Sequence, residues 1–215
     1  MHLDFYIYFQ ILSLLIAILY FKRLNAYHLA PFIFLIYIAC IIEVCGFAFK
    51  QLQQVNYLIF NLYLVFSTPL QSLLFYNMIL PAGIQKNIFI IISSLLMLFI
   101  LINFYFFQGM NLFNTYSLIL IMLINIVFSV FVLIKRFLID EKPVDFLKHP
   151  YLWINASILV FSLGTLVILG LQQYIEANKI QIGDKNAYRQ IMPILNVILY
   201  SGYSYAFLLC KQAPS

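Results

Sequence analysis

Residues Asn87 to Ile134, NIFIIISSLLMLFILINFYFFQGMNLFNTYSLILIMLINIVFSVFVLI, run without one charged side chain. A helix needs about 20 apolar residues to cross a hydrocarbon core of roughly 30 Å. The stretch is therefore about twice too long for a single crossing. Gln108-Gly109-Met110-Asn111 breaks it, because Gly and Asn supply the backbone conformations of a tight turn. Two membrane helices joined by a short connection is the reading. The apolar residues are continuous rather than alternating, which excludes barrel strands. The helix remains, since it satisfies its own backbone in lipid.

Working outward, charged residues and turn formers divide the rest of the chain. The spans expected are 4–21, 27–49, 55–80, 87–107, 112–134, 150–174 and 188–210, with Pro81 and Gly83 closing the third. The first ends in Lys22-Arg23, the wrong flank for a cleaved signal peptide, and is read as retained. The fold class is an all-α integral membrane protein, one domain over 1–215 built as a seven-helix bundle. Composition agrees: 65% of residues are hydrophobic and 9% charged, where a soluble domain is about a quarter charged. Lipid is the solvent that removes the excess apolar surface.

The net charge of +5 does not indicate a nucleic-acid partner, because the twelve Lys and Arg are scattered with no basic face. They read as topological signals. One set of connections holds Lys22, Arg23, Lys86, Lys135, Arg136, Lys142, Lys148 and Lys211; the other holds Lys50, Lys179, Lys185 and Arg189. The positive-inside rule places the richer set in the cytoplasm, with the amino terminus outside and the carboxyl terminus inside. The membrane expected is the cytoplasmic membrane of a bacterium or its equivalent. Tyr27, Tyr151, Trp153, Tyr174 and Tyr188 fall near helix ends, at headgroup level. Cys40, Cys45 and Cys210 are too dispersed to suggest a bridge.

Glu43 is the residue to single out. It lies inside the second span, where an ionised carboxylate costs about 3 kcal/mol on insertion scales, and such residues usually serve a purpose. Pairing with Lys50 or Arg189 is the structural alternative. At 1.5 Å per residue, Asn61, Asn103, Ser117 and Asn196 come from nearly the same depth, with Arg189 at the mouth. Pointing inward, they would form an outward-facing ligand pocket. Each Asn read singly is helix glue, worth about 1 kcal/mol. Ser67, Thr68, Gln71 and Ser72 surround Pro69, a static kink or a hinge. Gly202 with Ala206, and Ser13 with Ala17, are small-residue pairs that permit close helix approach.

A faint repeat is present. Spans two and six each open with a His near a Pro, His28 before Pro31 and His149 before Pro150, and spans three and seven carry Asn61 and Asn196. Two parallel three-helix units joined by a fourth span would result, a plan that resembles the sugar-transporting SWEET proteins and implies transport. The halves do not align beyond those points. The kink prolines of that family are absent from spans one and five.

Several chemistries are excluded. Span seven has no lysine between Arg189 and Lys211 to carry retinal. Glu43 lies near the other surface from His28, His149 and Asp145 and cannot complete a metal set with them; for those three, helix capping is preferred to an inner metal site. No nucleophile, phosphate-binding or dinucleotide motif is present, so neither a cofactor nor a reaction is indicated. The partners suggested are the lipid bilayer, a small-molecule ligand, and a membrane or cytoplasmic protein. Two functional readings result: a receptor-like sensor with output through the 135–149 segment, or a transporter or channel for a small solute or proton using Glu43. A structural subunit of a membrane complex is the third.

Overall fold

The computed structural model describes residues 5–51, 57–79, 86–109, 112–139, 146–178, 181–182 and 185–210. The expected helix stops at Pro81 and Gly83, residues 140–145 of the 135–149 segment and the tail from Lys211 lie outside this set. The helices are α1 (Phe5–Leu19), α2 (Phe21–Ala26), α3 (Pro31–Gln51), α4 (Tyr57–Ile79), α5 (Lys86–Ile102), α6 (Thr115–Ile134), α7 (Pro150–Ala177) and α8 (Ala187–Leu209). π-helical turns extend α5 over Asn103–Phe107 and α6 over Lys135–Ile139. A two-residue antiparallel ladder, Gln181–Ile182 with Lys185–Asn186, links α7 to α8.

Among the described residues, six helices are long and apolar enough to cross a membrane: α3, α4, α5 with its π turn, α6, α7 and α8. The protein is thus a multi-pass helical membrane protein. α1, at 15 residues, is shorter. Its hydrogen bonding nevertheless passes through Tyr20 into α2, from Tyr20 N–H to Ile16 O and from Leu24 N–H to Tyr20 O.

Helix ends follow local chemistry. Pro31 and Pro150 open α3 and α7 at positions where a missing N–H costs nothing. Asn114 caps α6 by accepting the Ser117 N–H. α2 closes in a Schellman turn: Leu29 N–H reaches Leu24 O at 2.8 Å and His28 N–H reaches Asn25 O at 3.0 Å. The turn needs a left-handed residue, and His28 supplies it with φ 57°. Leu24 and Leu29 are both fully buried, the apolar contact that accompanies this motif.

The helices close into a ring. α1 packs on α3, α3 on α4, α4 on α6, α6 on α7, α7 on α8, and α8 returns to α1. α5 sits outside the ring, against α4. The order is one three-helix set, α1–α3–α4, followed by a second, α6–α7–α8. The ends of α1, α3, α4, α5, α6, α7 and α8 alternate between two faces. The N-terminal face carries Phe5, Tyr57 and the α5–α6 turn; the opposite face carries Tyr27 to Pro31 and Phe146 to Pro150.

Toward the opposite face the ring carries an apolar and aromatic group. Phe32 packs edge-on against Tyr203 (5.0 Å between centroids) and Phe207 (5.8 Å), among Leu29, Ile36, Met78 and Ile154. Apolar side chains gain little from leaving lipid, so close packing has to hold such a bundle. The α7–α8 seam shows how. A methyl group added at Gly202 would lie 2.5 Å from Ser157 Cβ and 3.3 Å from the Trp153 carbonyl oxygen. Neither atom belongs to a flexible side-chain end. Gly202→Ala is expected to destabilise the bundle by about 1–3 kcal/mol, read as a lower melting temperature in detergent. Gly170→Ala, where nothing lies within 4 Å, is expected to leave it unchanged or slightly raised.

Candidate functional site

The ring encloses a cavity of about 660 Å³, a size that suits small-molecule ligands. All six ring helices contribute to its wall, and none of the described residues of α5 does. On α4 alone the lining runs from Phe60 to Met78, about 27 Å at 1.5 Å per residue.

The wall changes character with depth. Near the N-terminal face stand Tyr6, Glu43, Phe60, Tyr63, Phe113 and Asn196. Tyr6 donates its hydroxyl to Glu43 Oε2 at 2.8 Å, fastening α1 to α3 across the ring seam. Asn196 donates to the Met192 carbonyl at 3.1 Å, beside Pro193 in α8. At mid-depth are Ser67, Gln71, Asn125, Ser162 and Tyr200. Ser162 is fully buried, and its hydroxyl has no hydrogen-bond partner. Toward the opposite face the wall is apolar and aromatic: Phe32, Leu74, Phe75 and Met78, with Tyr203.

The polar residues that share one depth in the sequence separate into two groups here. Glu43 and Asn196 line the cavity. Asn61, Asn103 and Ser117 are buried instead in a hydrogen-bonded cluster around Asn114. Asn114 N–H donates to Asn61 Oδ1 at 2.9 Å, and Asn61 Nδ2 donates to Leu112 O at 2.9 Å. Asn103 Nδ2 contacts Asn114 Oδ1, Ser117 Oγ at 3.1 Å and Gln108 Oε1 at 2.9 Å. This cluster ties the ends of α4, α5 and α6 together and pins the turn at Gly109, whose φ is 76°. Arg189 lies in the first turn of α8, and its side chain is outside the described residues. Pro69 sits exposed within an unbroken α4, and the Thr68 hydroxyl donates to Leu64 O at 2.6 Å.

Cavity residues that sequence reasoning missed are Tyr6, Tyr63, Asn125, Ser162, Tyr200 and Tyr203, polar groups that no motif sets apart from their neighbours. Asn114 had a legible signal, an Asn directly before an apolar helical run, which marks an N-cap.

A second cluster sits where α7 emerges at the opposite face. His149 Nδ1 accepts the Tyr151 N–H at 3.2 Å, capping the helix. Its ring packs edge-on against Phe137 at 5.7 Å and Tyr151 at 4.9 Å. The Arg136 guanidinium lies 5.2 Å from the Tyr151 ring centre, and Tyr151 donates its hydroxyl to Tyr27 O at 2.7 Å. One end of α7 thus engages the α6 extension and the α2–α3 turn, while Ile158, Phe161 and Ser162 farther along line the cavity.

Burial, helped by the charge of Arg136, lowers the His149 pKa to about 4 from 6.5. The folded state therefore favours neutral imidazole, whose free Nδ1 serves as the cap. Its stabilisation is complete above pH 6.5 and is lost as pH falls from 6.5 toward 4, because the unfolded chain takes up the proton first. The melting temperature is expected to fall across that window. His149→Asn, which keeps a capping oxygen and cannot titrate, is expected to flatten the profile.

No family model matches the chain, no curated protein is significantly similar to it, and no solved structure matches its fold. The functional reading therefore rests on the cavity and its surroundings.

Proposed function

We propose that this protein is a receptor-like membrane sensor that binds a small molecule in the ring cavity and signals through the opposite face. The observation that carries this reading is α7, which lines the cavity at mid-depth and is clamped by Arg136, Phe137 and Tyr27 through His149 and Tyr151. A ligand that shifts α7 would be felt in the 135–149 segment, where a protein partner would read it.

In this reading seven helices cross the bilayer. α1 spans about 22 Å, and its continuation through Tyr20 into α2 adds about 9 Å. The N-terminal face is external, in keeping with the eight-to-four division of basic residues, so Glu43 faces a ligand arriving from outside. The cytoplasmic membrane is the proposed location. Transport is the second reading, and one observation favours it: the cavity wall on α4 extends about 27 Å, close to the roughly 30 Å of a hydrocarbon core. In that reading Pro69 would be the hinge.

The test is the melting temperature of nanodisc-embedded protein across a library of small solutes. A solute is expected to raise the wild-type value by several degrees, with the shift lost in Ser162→Phe, which fills the cavity, and reduced in Glu43→Gln. Hydrogen exchange at 135–139 and 146–149 is expected to change with the same solute. Retention of the shift by both variants would contradict the site. Solute uptake into proteoliposomes would decide for transport.

A further inference from the structure

We infer that the cavity takes an amphiphilic organic cation, with its amine or quaternary ammonium head at Glu43 and its apolar body directed toward Met78. This deepens the reading above and rests on it. The wall contains one carboxyl group, that of Glu43, and no Lys, Arg or His among the described residues. A positive head complements that carboxyl and an anionic one does not.

The surroundings of Glu43 narrow the choice of cation. Tyr6, Phe60, Tyr63 and Phe113 supply aromatic rings at the same end of the cavity. Phe60 and Phe113 are themselves paired edge-on, 6.4 Å between centroids. Aromatic faces attract ammonium groups, most of all where water is excluded, and a quaternary ammonium needs no hydrogen-bond acceptor to be held by them. A small inorganic cation would instead demand a shell of six or more oxygen ligands, whereas this end of the cavity is dominated by rings.

The remaining wall sets the body of the ligand. From Glu43 to Phe32 along α3 is about 16 Å, and the wall turns apolar over that distance. A cation without an apolar extension would leave the lower part, bounded by Leu74, Phe75 and Met78, unfilled. Ser162 places a hydroxyl in the wall at mid-depth. A single polar group partway along the ligand body would satisfy it.

The experiment is equilibrium binding of radiolabelled octyltrimethylammonium to the full chain in phosphatidylcholine nanodiscs, with empty nanodiscs subtracted. The competitors are butyltrimethylammonium, octyl sulfonate and the neutral octyl analogue in which a tert-butyl group replaces trimethylammonium. Saturable binding of one cation per chain is expected, with butyltrimethylammonium, the neutral analogue and the sulfonate each weaker by about ten-fold or more. Glu43→Gln is expected to weaken the cation by a similar factor while leaving the neutral analogue unchanged. Glu43→Asp, which retains the charge if Gln impairs folding, is expected to keep the cation preferred. Equal competition by cation and neutral analogue would overturn the proposal, as would wild-type affinity in Glu43→Gln. If the cations fail to bind while another solute raises the wild-type melting temperature, the cation class falls and the small-molecule cavity stands. If no solute of any class acts, both fall.

Discussion

In hydrocarbon a polar group has no water to return to, and the positions of the polar side chains in the cavity wall and around Asn114 follow from that. Backbone groups are satisfied by helix formation. Side-chain amides, hydroxyls and the Glu43 carboxyl must turn toward one another or toward an enclosed space. The ring meets this requirement in two places. Its interior gathers Glu43, Gln71, Asn125, Ser162 and Asn196, and the N-terminal ends of α4 and α6 enclose the cluster around Asn114. The lipid-facing surface is left to side chains such as Phe106, Val127 and Leu163.

α5 illustrates the consequence. It lies outside the ring and none of its described residues lines the cavity, so in lipid its apolar faces give it weak attachment. The amide of Asn103 anchors its end to Asn114 and Ser117. α7 and α8, in contrast, are joined along a seam narrow enough that Gly202 has no room for a Cβ. The bundle combines a firmly packed half, α7–α8 with the aromatic group around Phe32, and a half held by directional hydrogen bonds. The cavity lies between them.

The helical membrane class was legible in the sequence, because charges are expelled from the hydrocarbon and mark its borders. The order of packing was not. With 65% of residues hydrophobic, faces turned to lipid and faces turned to protein look alike, and apolar periodicity does not orient a helix. Depth arithmetic brought Glu43, Asn61, Asn103, Ser117 and Asn196 to a common level but carried no information on which way each one turns about its helix axis. That rotation is what sends Glu43 and Asn196 to the cavity and the other three to the polar cluster. Tyr6, on α1, lies far from Glu43 in the chain and meets it only because α1 packs on α3.

The central claim is a cavity inside the ring, open to solutes and separate from both lipid and the polar cluster. Reaction of single cysteines with a small, positively charged methanethiosulfonate tests it most directly. Asn125→Cys, Val127→Cys and Asn103→Cys would be compared in a background with Cys40, Cys45 and Cys210 replaced. The account requires rapid modification of Asn125→Cys, slowed by octyltrimethylammonium, with Val127→Cys in lipid and Asn103→Cys in the cluster left inert. An unreactive Asn125→Cys, or modification of all three at one rate, would contradict it.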